Sequence, residues 1–522
     1  MDKKKKNLSR GILIGSGLIF FLSILIFNSY SYSDSDLGWH LRVGNDILDS
    51  GQAPRENFYN FTLQRDWIDH EWLLNAGMAG VTKLAGFGVL HLLFALVALT
   101  AVALAVWHGA KKNSLGYAFL LGVLAVWASR PHLGLRVQEF GLLFSVVIMY
   151  VITWVRPKHF LYIMPTLFLL WSNFHGSFLL GLALLGAYTV YLWLVPLVRR
   201  ISQAVGLPII SFTNRDRWFI TASWVMSLAA TLINPYGFRL YGLLAGYTNT
   251  SYMGYIQEWL GQYSLPLYYP QLAYLALVSA LATWHIYRWR EVKRGTLWEY
   301  GVFIIFYILA WRSRRHFPLF ALITLPLCTL FLEDIFSDLP KLGGQMVTRL
   351  RVLAAISLAG LSIILLVKIP YGLHPILAYC GQKYPCAAVE YLESLSQVKS
   401  RRIFNEFNWG GFLLYSAPEL DYFIDGRMPQ ERYGNRTILE EYRALRYGFE
   451  DIGAAIEKHG IDTAIIYSSD RTYQYKKWER IFFNIKDSKP SPTDNLREYF
   501  DGSPLWSRVY FDGLASIYEK TE

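Results

Sequence analysis

Residues 33–72 read SDSDLGWHLRVGNDILDSGQAPRENFYNFTLQRDWIDHEW, and the reading of the whole chain turns on them. They directly follow GILIGSGLIFFLSILIFNS at 11–29, an apolar run long enough to cross a bilayer as a helix. The stretch therefore gathers Asp34, Asp36, His40, Asp69, His70 and Glu71 at the mouth of a membrane protein, where ionisable side chains are costly unless solvated or used. In an extended segment Asp34 and Asp36 share one side, whereas in a helix Asp36 and His40 share a face. Two carboxylates facing one cleft can divide labour. One takes a proton from an attacking hydroxyl, and the other orients substrate or holds a divalent cation. Solvated helix ends would give Asp34 and Asp36 without any chemistry; the second acidic cluster, Asp69 to Glu71, weighs toward a catalytic loop.

Four lysines at 3–6 precede the first apolar run, and 30–36 offers no Ala-x-Ala cleavage site. That pattern predicts an uncleaved anchor with the amino terminus in the cytoplasm. Further apolar runs near 87–107, 115–129, 139–155, 160–174, 177–198, 218–233, 270–287, 297–311, 317–332 and 352–369 bring the expected total to about eleven spans. A content of 53 % hydrophobic and only 17 % charged residues agrees with a polytopic α-helical membrane protein. The net charge of +11 sits in short clusters, Lys111 with Lys112, Arg156 with Lys158, Arg199 with Arg200, and Arg288 to Arg294, all on alternate connections. This is the positive-inside pattern rather than a nucleic-acid footprint, so no nucleic acid is expected as a partner. It puts the acidic loop and the carboxyl terminus outside the cytoplasm.

From about residue 370 apolar runs shorten and charges rise, which predicts a soluble extracytoplasmic α/β domain over 370–522 behind a membrane module over 1–369. RIFNEF (402–407), DYFID (421–425) and DTAIIYS (462–468) read as strands, and SRVYFDGLASIYEK reads as a hairpin turning at Asp512-Gly513. Cys380 and Cys386 stand where a disulfide can persist, with two reduced buried thiols as the lesser alternative.

On the outer side, RSRRH at 312–316 breaches the positive-inside rule. Arg312, Arg315 and His316 fall at i, i+3 and i+4, one cationic face if a helix continues through them. Guanidinium groups suit phosphate oxygens, and snorkelling toward headgroups is the plainer explanation. Arg130 and His132 in SRPH repeat the arrangement, and His175 in NFHGS lies on the same side. Together they point to a phosphate-bearing substrate arriving from the membrane. HEW lacks the second histidine of a zinc-peptidase motif, and neither a Walker A sequence nor a dinucleotide fingerprint nor GxSxG is present.

These residues resemble the GT-C superfamily of integral-membrane glycosyltransferases, which includes protein O-mannosyltransferases, aminoarabinose transferases and oligosaccharyltransferase catalytic subunits. More narrowly, DSDLGWHLRVGNDILDSGQAP with WIDHEWL, then WSNFHGSFLLG, NPYG, RRHFPLF, and NEFNWGGFLLY followed by FIDGR, is similar to a bacterial subgroup of unassigned substrate. The acids Asp34-Ser35-Asp36 and Asp69-His70-Glu71 depart from the adjacent acidic pair of many relatives. The resemblance implies a GT-C-like module with its catalytic first external loop at 30–72, sited in the plasma (inner) membrane of the cell. It implies inverting transfer of a sugar from a polyprenyl-phosphate-linked donor to an external acceptor glycan, lipid or protein. The base maps onto Asp36, with Asp34 its competitor, and the second acid onto Glu71 or Asp69. His40, His70, Arg130, His132, His175, Arg312, Arg315 and His316 map onto substrate binding. Some relatives use a divalent cation, Mg or Mn, which Asp36 and Glu71 would hold here. A transporter or flippase of a lipid-linked saccharide, or a non-catalytic envelope assembly protein, stands as the alternative.

Overall fold

The computed structural model describes residues 34–338 and 380–521, apart from 64–65, 114, 209–211, 248–250, 290–293, 395–400, 470–474 and 484–494. The spans expected at 11–29 and 352–369 lie outside the described residues. Two compact units emerge. Among the described residues, one takes Ala85–Phe238 and the segment from Ile256 to 338. The other takes residues 34–84, Arg239–Tyr255 and everything from 380 onward. The acidic loop at 34–72 thus falls in the same unit as the carboxyl-terminal part. Phe61 donates its N–H to the carbonyl of Tyr422 at 3.2 Å, and Thr62 Oγ1 donates to the carbonyl of Phe423 at 2.6 Å.

The helical unit runs through Leu115–Ser129, Gln138–Trp154, Phe160–Phe174, Phe178–Trp193, Asn214–Ala230, Tyr269–Tyr287, Leu297–Arg312, Phe317–Ile323 and Leu325–Asp338, after entering on Trp72–Lys112, a helix kinked at Gly86, whose φ is 78°. Small polar residues tie neighbours together. Ser223 Oγ donates to the carbonyl of Phe160 at 2.8 Å and Trp224 Nε1 to that of Leu182 at 3.1 Å, so backbone groups find partners without water. His285, buried between three helices, meets Asp334 Oδ2 at 2.6 Å through Nδ1 and the Tyr300 hydroxyl at 2.6 Å through Nε2. Capping boxes at Thr213 and Thr296 start their helices.

Among the described residues one helix, Trp72–Lys112, is long and apolar enough to cross a membrane, and up to three if each of two bent pairs is one span. The expectation of about eleven is met only in part: the unit is mostly helical, but among the described residues no more than three spans pass by length and composition. Helices of 15 residues rise about 22 Å, short of a core about 30 Å thick. The apolar run at 317–332, expected as one span, breaks at Thr324 ahead of Pro326 and bends by 64° there.

The other unit is a five-stranded sheet ordered β2-β1-β5-β7-β6. β1 (Arg402–Asn405) runs parallel to β2 (Asp421–Tyr422) and to β5 (Thr463–Tyr467); β6 (Trp506–Phe511) and β7 (Ala515–Lys520) add antiparallel. The short antiparallel pair β3 (Arg432–Tyr433) and β4 (Arg436–Thr437) stands apart. The expected Asp512-Gly513 hairpin is present, with Asp512 Oδ1 accepting the N–H groups of Leu514 and Ala515 at 2.7 Å. DYFID pairs over only two residues; the Phe423 N–H still reaches the carbonyl of Ile403 at 3.0 Å, and the Asn405 side chain takes over beyond it, its Oδ1 accepting the Ile424 N–H at 3.2 Å and its Nδ2 donating to the Ile424 carbonyl at 2.8 Å. Cys380 and Cys386 form a disulfide.

Candidate active site

The acid-bearing unit is assembled by close backbone approaches. A Cβ on Gly38, in the helix Leu37–Ser50, would fall 2.1 Å from the carbonyl oxygen of Gly411, which opens into the helix Gly410–Ser416. Only glycine fits there, which gives DLGW and NWGGF of the sequence a shared cause. Gly426 of FIDGR does the same for Asp36, since a Cβ on it would lie 2.0 Å from Asp36 Oδ1. The Arg427 guanidinium grips Asp425 through Nε at 2.9 Å and Nη2 at 2.6 Å, reaches Asn57 Oδ1 at 3.0 Å, and lies over the rings of Tyr59 and Trp67. Asn60 Nδ2 donates to Asp425 Oδ2 at 2.9 Å. FIDGR therefore clamps the acidic loop.

Within that clamp the four acids have different situations. Asp34 is buried, its Oδ1 accepts the N–H of Asp36 at 3.3 Å, and its carbonyl accepts the Tyr384 hydroxyl at 3.0 Å. Asp36 is half-buried at the start of the Leu37–Ser50 helix and makes no side-chain cap. Its carbonyl accepts the N–H of His40 at 3.1 Å, so the two residues share a helical turn as one of the two expected geometries has it. Asp69 is 1 % exposed, with the Glu71 N–H on Oδ1 at 3.0 Å and Asn75 Nδ2 on Oδ2 at 2.8 Å. Burial pushes its carboxyl up to about 6, against the lowering pull of those hydrogen bonds and of Arg427. Glu71 is also buried, with Oε2 3.8 Å from His40 Nδ1 and Oε1 3.5 Å from His70 Nε2. Asn75, which sits in an apolar context with no motif around it, was invisible in the sequence.

The cationic residues belong to the helical unit. The helix Leu297–Arg312 ends at Ser313, whose backbone is extended, and a 3-10 turn Arg314–His316 follows. The expected single face of Arg312, Arg315 and His316 is therefore corrected: no helix runs through them. The residue between them, Arg314, is the buried one. Its guanidinium donates to the carbonyls of Gln257 and Ser264 and lies 4.5 Å from the centre of the Tyr268 ring. Arg312 is exposed, while Arg315 and His316 are half-buried against Trp259. Arg130 is exposed and His132 buried. Desolvation pushes the His132 imidazole down to about 4, so it enters as a neutral ring rather than a cation. His175 is engaged inside its own turn, its Nδ1 accepting the Ser177 N–H at 3.1 Å.

No family model matches the chain, and no curated protein matches it in sequence. Solved structures do match. The Archaeoglobus fulgidus oligosaccharyltransferase tethered to an acceptor peptide containing the NVT sequon aligns over 90 % of this chain and 70 % of its own, at a TM-score of 0.57 and 11 % identity. The same enzyme, AglB, in complex with an inhibitory peptide and a dolichol-phosphate gives a TM-score of 0.57 at 12 % identity, over 89 % of this chain and 70 % of its own. The chain has the GT-C fold. ArnT from Cupriavidus metallidurans bound to undecaprenyl phosphate is a weaker likeness, with a TM-score of 0.48 at 11 % identity over 97 % of both chains.

One archaeal structure is a complex with Zn and sulfate. In this chain, among the described residues, no group of three or more His, Cys, Asp or Glu is placed to hold a metal ion. Asp36 and Glu71, the expected ligands, do not by themselves make the oxygen-rich set that Mg or Mn takes.

Proposed function

We propose that the chain is a membrane glycosyltransferase that moves a sugar from a polyprenyl-phosphate-linked donor to an acceptor on the extracytoplasmic side, with Asp36 as general base. The observation that carries this reading is the contrast among the four acids. Asp34, Asp69 and Glu71 are buried, while Asp36 is half-buried at the start of a helix and has its surroundings fixed by the absent Cβ of Gly426. A carboxylate held this way is pre-organised to accept a hydrogen bond from an acceptor hydroxyl. As the acceptor oxygen bonds to the anomeric carbon, the bond from that carbon to the donor phosphate breaks, the phosphate leaves with the electron pair, and Asp36 takes the hydroxyl proton. The anomeric configuration inverts.

Arg312, Arg315 and His316 are assigned to the carrier phosphate, where they balance charge developing on the leaving group. Arg314 is assigned to the scaffold. Glu71 or Asp69 is assigned as the second acid, both being buried in the same loop. The complexes of AglB with dolichol-phosphate and with acceptor peptide support a lipid-linked donor and an external acceptor. The basic connections support an amino terminus inside and a carboxyl terminus outside.

Mass spectrometry of the lipid fraction tests this. Cells lacking the protein should accumulate a polyprenyl-phosphate-linked sugar that disappears when the wild-type chain is restored and persists with Asp36→Asn. An unchanged lipid profile, or full clearance by Asp36→Asn, would overturn the proposal.

A further inference from the structure

Gly44 brings two helices of the acid-bearing unit into backbone contact: a Cβ on it would fall 2.1 Å from the carbonyl oxygen of Asn75. At that contact His40 Nδ1 lies 2.7 Å from Asn75 Oδ1, and Asn75 Nδ2 donates to Asp69 Oδ2 at 2.8 Å. His40, Asn75 and Asp69 are 3 %, 0 % and 1 % exposed, so water does not compete for these bonds. An ionised carboxylate only accepts hydrogen bonds, so the amide must present Nδ2 to Asp69 and hence Oδ1 to His40. An amide oxygen also only accepts, so His40 Nδ1 must carry a proton, and in the neutral ring the lone pair is then on Nε2. The Trp39 ring, 3.7 Å from His40 between centroids, covers the imidazole. Among the charged groups nearby, Glu71 Oε2 is 3.8 Å from Nδ1, too far to displace the amide, Glu71 Oε1 faces His70, and Arg427 acts on Asp69.

We infer that Asn75 is a positioning residue that holds His40 in the Nδ1–H tautomer and ties that ring to Asp69, so that His40 meets its other neighbours as an acceptor through Nε2. The role in catalysis rests on the transferase reading; the tautomer rests on the geometry alone. A second-layer amide that chooses which ring nitrogen carries the proton is a recognised way to set the chemistry of a histidine. It also explains why a fully buried asparagine is kept in an otherwise apolar helix, where an unpartnered amide would be destabilising.

The test is solid-state NMR of the full-length protein in lipid vesicles, with nitrogen-15-labelled histidine and His40→Gln to identify the His40 signals, at a pH where Asp69 is ionised. The expected spectrum has a protonated Nδ1 and an unprotonated Nε2. Asn75→Leu should then shift the tautomer ratio by up to about tenfold, the worth of one hydrogen bond. A wild-type proton on Nε2, or a His40 signal unchanged in Asn75→Leu, overturns the inference. Should Asn75→Leu fail to fold, Asp69→Asn removes the acceptor-only partner and should mix the two tautomers; an unmixed signal overturns it as well. The spectrum is read without substrate, so its outcome is distinguishable from failure of the proposed sugar transfer.

Discussion

In the acid-bearing unit, the buried guanidinium of Arg427 closes on a carboxylate, Asp425, and through Asn57 and Asn60 holds a loop some 360 residues away in sequence. In the helical unit, the buried guanidinium of Arg314 donates instead to the carbonyls of Gln257 and Ser264 and lies over Tyr268. The first arrangement buries two opposite charges together and the second spends one charge on neutral backbone. Both take a member of a conspicuous charged motif, FIDGR or RSRRH, and use it as scaffold. Spacing in sequence identified the motifs, but burial decides which members remain available for chemistry.

That comparison breaks most severely at Arg427. Arg427→Leu leaves Asp425 a buried, uncompensated carboxylate and should destabilise the acid-bearing unit by about 3–5 kcal/mol. Limited proteolysis and thermal melts would register it, and the double variant with Asp425→Leu should recover much of the loss. A single variant that melts like the wild type would mean that the clamp contributes little.

Arg314→Leu should cost less, about 1–3 kcal/mol, because it strands two carbonyls rather than a charge. Donor affinity of the protein that still folds should hold. Arg315→Ala should do the reverse, leaving the melting temperature unchanged while weakening binding of a polyprenyl phosphate. Equal effects of the two substitutions on binding would erase the distinction drawn between scaffold and available cation.

The smallest effect concerns Asp69. Its carboxyl is raised to about 6 in the folded chain, so the folded state holds that proton more tightly than the unfolded chain does. The stabilisation is fully present below about pH 4 and is lost as pH rises toward about 6. Melting curves over that window should fall for the wild type relative to Asp69→Asn; parallel curves would show that Asp69 titrates alike in both states.

Local signals were legible in the sequence. The Asp512-Gly513 hairpin and the strand at 463–467 follow from turn chemistry and from a short β-branched run. The catalytic-loop reading of 33–72 rested on acids beside an apolar run. What could not be read is long-range. Nothing local tells that Gly38 meets Gly411, that Asp36 meets Gly426, or that Thr62 bonds Phe423. Apolar runs marked helices, but not that the one at 317–332 bends at Thr324. Counting i, i+3 and i+4 across RSRRH assumed a helix that Ser313 ends, which hid Arg314.

The central proposal is that Asp36, the half-buried one of the four acids, acts as base. Its most direct test is single-turnover transfer by purified protein in lipid, with the lipid-linked sugar that accumulates in its absence supplied as donor. Asp36→Asn should bind that donor as the wild type does and lose about 10² to 10⁴ in rate, while Asp34→Asn, altering a buried turn, loses far less. A fully active Asp36→Asn protein, or a dead Asp34→Asn beside it, would contradict the account.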